Sequence, residues 1–277
     1  MNTSLKDKVR GSLFGFAIGD AMGATTEFMS AKSIKLKYGR VDQIIGGGWL
    51  NLKAGKVTDD TQMMLCVARA MMEHWGTTDA IIQQISENFV EWLESGPIDV
   101  GTTCMRSIYA NRGKPWKEWI SCNQKHQCDV YREDLGNGGL MRCLVPCLLG
   151  DRYTAWQQSN LTHSNNTCCS AIDIYYWAVN DYLRDRPVPI YRHVEPKGHV
   201  EYTLSNAIYW AQKDSFRKAI LGAVNDGGDA DTIAALSGGL AGARYGYTAI
   251  PSEWLSVLEE DTTAELEKIA DFICTHI

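Results

Sequence analysis

Three things are scarce in this 277-residue sequence: an excess of basic charge, long apolar runs and proline. Lys and Arg number 27 against 33 Asp and Glu, so the chain carries −6 at pH 7. A broad basic surface is therefore not expected, and nucleic acid is not an expected partner, because binding along a phosphate backbone draws on Lys and Arg displacing counterions. No stretch approaches the ~20 consecutive apolar residues that span a bilayer, so direct membrane insertion is not expected either. Residues 11–19, preceded by Lys6, Lys8 and Arg10, have a superficial look of a secretory signal. The run is short, carries Gly11, Gly15 and Gly19, and ends on Asp20, while Asp7 interrupts the basic stretch. These features argue against a signal.

Paired cysteine motifs are also missing. The nine cysteines are odd in number and scattered, Cys122, Cys128, Cys143 and Cys147 loosely spaced and Cys168-Cys169 adjacent. No C-x-x-C occurs, which disfavours a zinc ribbon or a thioredoxin-type site. Cys66, Cys143 and Cys147 sit in apolar stretches and read as small buried hydrophobes. A reducing, cytoplasmic setting is expected.

What is present is a globular composition, 45% hydrophobic and 22% charged, with helical periodicity nearly throughout. The spacing predicts helices over 61–72, 80–93, 169–182, 204–210, 216–224 and 232–243. Alternating strand patterns are scarce, so the expected class is all-α, a single domain over residues 1–277 with functional loops. Glycine concentrates in loops at 46–48, 136–139 and 227–228, where it permits close backbone approach. Residues 184–198, with Pro187, Pro189 and Pro196, are the best linker candidate.

The sharpest local signals are acidic. Thr58-Asp59-Asp60-Thr61 precedes one apolar-periodic helix, and Asp226-Gly-Gly-Asp229-Ala-Asp231-Thr232 opens another. Either alone reads as a helix cap with acidic first-turn residues. Two such clusters far apart in sequence suggest one site shared by both ends of the chain. Carboxylates and Thr hydroxyls are the donors of a hard cation such as Mg²⁺ or Mn²⁺. Crowded carboxylates repel unless cations neutralise them. No EF-hand spacing follows the D-x-D cluster. Asp20, inside an apolar run, has a structural reading, capping or bracing a neighbouring segment, and Glu27 could reach a central site.

Together, Gly15 to Glu27, Gly55 to Thr61, Gly136 to Arg142, Thr162-His163 and Gly227 to Thr232 resemble the motifs of the ADP-ribosylglycohydrolase family, in that family's order and over nearly the whole chain. The stretches from Gly46 to Gly55, from Pro97 to Gly101 and from Asp134 to Cys143 resemble its nitrogenase-linked subgroup. The resemblance implies an all-α orthogonal helical fold around a central cleft with two divalent cations, Mn²⁺ or Mg²⁺. It implies metal ligands at Thr58, Asp59, Asp60, Asp229, Asp231 and Thr232. It places Asp99 near the scissile bond as the preferred acid/base, and Glu27 near or on the metals as the second choice for that catalytic role. Substrate contacts fall to Thr102, Thr103, Asn137, Gly138, Gly139, Met141 and His163, with Tyr202 against the adenine.

The reaction so implied is hydrolysis of the N-glycosidic bond between ADP-ribose and arginine, on a modified protein such as dinitrogenase reductase. A PII-type signalling partner, reversible membrane association through that partner and a monomeric state belong to the same expectation. Two alternatives remain open: the same chemistry on another ADP-ribosylated protein or small conjugate, and a non-catalytic binding or structural role.

Overall fold

In this computed structural model, residues 4–130 and 135–277 are described. The described residues form α1 (Leu5–Gly23), α2 (Ala31–Tyr38), α3 (Asp59–Glu73), α4 (Thr78–Glu94), α5 (Thr102–Asn111), α6 (Trp116–Val130), α7 (Leu144–Leu148), α8 (Arg152–Asn160), α9 (Asn166–Leu183), α10 (Val200–Ala211), α11 (Phe216–Asp226), α12 (Ala230–Tyr245), α13 (Ser252–Leu255) and α14 (Glu260–His276). The all-α expectation holds. Among the described residues, β pairing is limited to the isolated bridges Ser30 with Gly227, Gly47 with Leu52, and Gly136 with His199. All three pin loops that surround the site described below. The side chain of Cys128, and Asp134, lie outside the described residues.

The apolar run at 11–19 forms the buried middle of α1, which packs antiparallel along α12. The seam is made of small residues at four-residue spacing. Gly11, Gly15, Gly19 and Gly23 face Gly242, Gly238, Ala234 and Ala230 in turn. A Cβ on Gly19 would stand 2.0 Å from the Ala234 carbonyl oxygen, and one on Gly15 2.4 Å from that of Gly238. Rows of residues four apart are natural ridges on a helix, and here the ridges are reduced to backbone so that the two helices can close. α10 and α11 flank α12, and α14 lies on α1. The seam therefore brings the C-terminal end of α1 to the N-terminal end of α12.

The predicted apolar faces are largely the buried ones. On α4, Ile81, Ile82, Ile85, Phe89 and Trp92 are buried. On α9, Ala171, Ile172, Tyr175 and Val179 are buried, whereas Tyr176 sits at the edge and donates its hydroxyl to the Gly150 carbonyl at 3.1 Å. Helix α3 begins at Asp59, not Thr61, because Thr58 is its cap and accepts from Asp60 N. Cys66, Cys143 and Cys147 are buried and free. Residues 184–198 carry no regular structure, yet they are tied down. Gln212 donates to Pro189 O at 2.7 Å and accepts from Tyr191 N, and Asn206 accepts from Val194 N. No described helix is long and apolar enough to cross a membrane.

Candidate active site

Asp20, in the last turns of α1, is fully buried and organises the start of α3. Its carboxylate accepts from the backbone N–H of Thr58 and Thr61, both at 3.1 Å, and from both hydroxyls. Burial pushes its pKa up, and these four donors pull it back. The bracing role expected of Asp20 is what the structure shows.

The two acidic clusters meet at Asp60. Its Oδ2 accepts from Thr58 Oγ1 at 3.2 Å and from Thr232 Oγ1, 172 positions away, at 3.3 Å. Asp59 Oδ2 accepts from Gly101 N at 3.3 Å, which ties α3 to the loop that carries Asp99. Asp229 Oδ2 accepts from Asn137 Nδ2 at 2.6 Å and from Thr203 Oγ1 at 3.5 Å. Glu27 Oε2 accepts from Trp49 Nε1 at 2.6 Å. Carboxylate oxygens of Glu27, Asp99 and Asp231 lie within 4.8 Å of one another. The N-termini of α3 and α12 both open on this cluster, and their dipoles offset part of the mutual repulsion.

That offset is incomplete. Burial, then the negative charges of Asp99, Asp229 and Asp59, lift Glu27 to about 8 against the pull of Trp49. Burial, then Asp99 and Asp20, lift Asp59 to about 7, and burial lifts Asp229 to about 6. Asp60 and Asp231 are raised by burial and by their acidic neighbours, and Asp99 by burial. Asp60 Oδ1 and Asp231 Oδ1 are buried without a hydrogen bond. A buried polar atom left unpaired costs about 1–3 kcal/mol, so these oxygens call for a cation or a proton. Carboxylate and hydroxyl oxygens suit a hard divalent ion.

The cluster floors a cavity of about 370 Å³. Its lining holds Glu27, Asp59, Asp99, Asp229, Asp231 and Thr232, together with Thr102, Thr103, Asn137, Gly138, Met141 and His163. No Lys or Arg lines it. Thr58 and Asp60 lie just beneath, both buried. Two expected contacts sit elsewhere. Gly139 packs on α8, where a Cβ would be 2.0 Å from Ser159 Oγ. Tyr202 is outside the lining, its ring against His199 at 5.3 Å, and His199 pairs in turn with Gly136.

The far wall of the cavity is arranged by Arg142, which sequence reasoning placed in a motif but gave no role. It is fully buried, stacked on Phe89 at 4.5 Å, and donates to the Gln158 side chain and carbonyl and to Thr162 Oγ1, each at 2.7 Å. Thr162 Oγ1 thus accepts from Arg142 and lies within hydrogen-bond distance of His163 Nδ1, at 2.8 Å. Burial, then the charges of Arg142 and Arg106, lowers His163 to about 3, so the ring is neutral. It stands against Gly138, where a Cβ would be 2.6 Å from Cε1 and 2.8 Å from Cys104 Sγ. Glycine there lets ring and loop approach. The N–H groups of Asn137, Leu140 and Met141 are already bonded, to the carbonyls of Gly198 and Asn137. The loop therefore leaves fewer backbone N–H groups for a ligand than its glycine content suggests.

Phe28, Trp49, Val100 and Cys104 also line the cavity, and none was singled out from sequence. Trp49 and Val100 fall within the stretches from Gly46 to Gly55 and from Pro97 to Gly101, whereas Phe28 and Cys104 fall in none. The contact of Thr203 with Asp229 has no local signature.

Relatives agree with this geometry. The chain is 36% identical to an ADP-ribosyl-[dinitrogen reductase] glycohydrolase of Rhodospirillum rubrum, over 97% of this chain and 96% of that one. It is 31% identical to the ADP-ribosylarginine hydrolase Tri1 of Serratia proteamaculans, over 91% and 75%. A solved structure titled an ADP-ribosylglycohydrolase-related protein complex superimposes with a TM-score of 0.78 at 27% identity, covering 98% of both chains. The ADP-ribosylglycohydrolase family model matches residues 1–194 and 174–277. With the helical fold and the acidic cavity already in hand, these matches establish that the chain belongs to the ADP-ribosylglycohydrolase family.

Proposed function

We propose that the chain hydrolyses the N-glycosidic bond joining ADP-ribose to an arginine side chain, with dinitrogenase reductase as the modified protein. The observation that carries this reading is the convergence of Glu27, Asp99 and Asp231 within 4.8 Å around a cavity that no Lys or Arg lines. The names of two relatives, one acting on dinitrogen reductase and one on ADP-ribosylarginine, support the choice of linkage and target.

Thr58, Asp59, Asp60, Asp229, Asp231 and Thr232 would hold two divalent cations, Mn²⁺ or Mg²⁺. The unpaired oxygens of Asp60 and Asp231 are what makes these residues fit such ions. When bound, the ions supply Lewis acidity and neutralise the cluster's charge. The remaining work falls to the chain. When the bond breaks, its electron pair goes to the guanidine nitrogen and positive charge develops on the anomeric carbon. The surrounding carboxylates stabilise that charge. Asp99, half-buried at the cavity wall, accepts the proton of the attacking water, with Glu27 as the second candidate. His163 Nε2, beside Gly136 and Gly138, hydrogen-bonds the phosphates or ribose of the substrate. Asn137 keeps Asp229 in place. In the nitrogenase-linked reading a PII-type protein regulates the enzyme by recruiting it reversibly to the membrane.

The test is incubation with arginine-ADP-ribosylated dinitrogenase reductase, with and without Mn²⁺. ADP-ribose is released only with the metal. Release that persists in the Asp59→Ala, Asp229→Ala double variant refutes the metal role. Cleavage of a generic ADP-ribosylarginine but not of the nitrogenase protein refutes the target alone.

A further inference from the structure

The glycine-rich loop at 46–52 presents an exposed tryptophan, and nothing in the reaction above uses it. Gly46, Gly47 and Gly48 all have positive φ, as does Asn51 at 53°. Gly47 pairs with Leu52 across the loop in both directions, at 2.8 and 2.9 Å. A Cβ on Gly48 would stand 2.1 Å from the Ala24 carbonyl oxygen, and Thr25 Oγ1 donates to Gly46 O at 3.0 Å. The loop is thus a tight hairpin clamped on the segment after α1, with Trp49 at its tip. Trp49 nevertheless stays 54% exposed.

Its neighbour is equally unusual. Phe28 is 68% exposed and adopts φ 58°, a conformation that bulky side chains rarely take. Its N–H donates to Gly228 O at 2.7 Å, which locks that geometry to the second acidic cluster. The two rings lie 5.4 Å apart, tilted by 48°. Both line the acidic cavity, and Trp49 is hydrogen-bonded to Glu27. Their hydrogen bonds run to Glu27 and to Gly228, next to Asp229.

We propose that Phe28 and Trp49 form a cation clamp that receives the guanidinium of the modified arginine beside Glu27. The inference rests on the arginine-linked reading of the site. Aromatic faces attract cations through their quadrupole, guanidinium most often. In that substrate the guanidinium is the cationic part; of anionic ADP-ribose only the adenine has a face that stacks on such rings, and the Kd of free ADP-ribose reports that contact separately. The clamp thereby sets the leaving group the site accepts.

The experiment compares KM and kcat for ADP-ribosylagmatine with the Kd of free ADP-ribose, using the Mn²⁺-loaded protein. Phe28→Leu and Trp49→Leu raise KM by roughly 2- to 30-fold, the range of a cation–π contact, and leave the ADP-ribose Kd unchanged. Trp49→Phe keeps an aromatic face but loses the bond to Glu27, and it recovers most of the loss. If Trp49→Phe falls as far as Trp49→Leu, the indole acts through Glu27 and the clamp is overturned. A KM that does not move, or an ADP-ribose Kd that moves with it, also overturns it. Absence of turnover by the wild-type protein refutes the arginine-linked reading itself, and the clamp with it. Turnover by the wild type with unresponsive variants refutes the clamp alone.

Discussion

Replacing Gly19 by Ala should destabilise the fold even though alanine is the better helix former. Alanine in a helix interior gains about 1 kcal/mol over glycine. Against this, the new Cβ would stand 2.0 Å from Ala234 O and 2.3 Å from its carbonyl carbon. Ordinary contact begins near 3.4 Å, so the pair is short by about 1.4 Å, the difference 3.4 − 2.0. The obstructing atoms are backbone, and no rotamer change moves them. Relief requires α1 and α12 to part along a seam of four successive small pairs. Overpacking costs typically 1–3 kcal/mol, and more where nothing yields, so the net loss is expected to be about 2 kcal/mol. For a chain of this size that corresponds to a fall in Tm of about 4–8 °C, read by scanning calorimetry. Two companions locate the effect. Gly11→Ala meets Gly246 C at 2.5 Å, far from the acidic cluster, whereas Gly23→Ala meets Asp231 Cα at 2.5 Å. Both should lower Tm, and only Gly23→Ala should also lower activity per folded molecule. A Gly19→Ala protein with unchanged or raised Tm would show that the seam opens freely, and the reasoning about helix closure would be wrong.

Other expectations concern the site. Raised carboxyl groups, with Glu27 at about 8 and Asp59 at about 7, mean that the cation-free folded state holds more protons than the unfolded chain between about pH 4 and 8. Its stability should therefore fall as pH rises through that window. Mn²⁺ should accordingly raise Tm more at pH 8 than at pH 6, and a thermal shift that is flat with pH counts against the cluster as a cation site. His163 works in the opposite sense. Its folded value of about 3 lies below the ordinary 6.5, so its stabilising contribution is complete above pH 6.5 and is lost as pH falls toward 3. The stability difference between wild type and His163→Gln should shrink across that range in denaturant titrations, and a constant gap would contradict a buried neutral ring. Arg142→Met takes a donor from the Gln158 side chain and carbonyl and from Thr162, and a loss of about 1–3 kcal/mol is expected. Arg142→Met should also weaken ADP-ribose binding in calorimetry through the released His163, and unchanged affinity would separate Arg142 from the site.

The parts of this molecule that were legible in sequence are those decided within a few residues. Helical periodicity marked the buried faces of α4 and α9. Thr58 and the acidic residues after it announced a helix start, and so did the 229–232 cluster, because capping and dipole effects act within one turn. The placement of Asp20 as a brace followed from the cost of an unpartnered charge in an apolar run. Gly139 and Tyr202 lie outside the cavity lining, and for Gly139 the reason is a packing contact. Glycine in a loop can serve packing as well as a ligand, and only the position of Ser159 decides which.

By itself the sequence determined an all-helical chain, two acidic helix starts and a four-residue glycine spacing in α1. The tertiary structure decided what each of these faces. The α1–α12 seam sets Asp20 and Glu27 beside Asp60, Asp229 and Asp231, because backbone contact fixes the two helices' register end to end. The hydrogen bonds from Thr232 to Asp60, from Arg142 to Thr162 and from Trp49 to Glu27 join residues 172, 20 and 22 positions apart. Long-range proximity of this kind comes from the packing of the whole core, and no local window of sequence contains it.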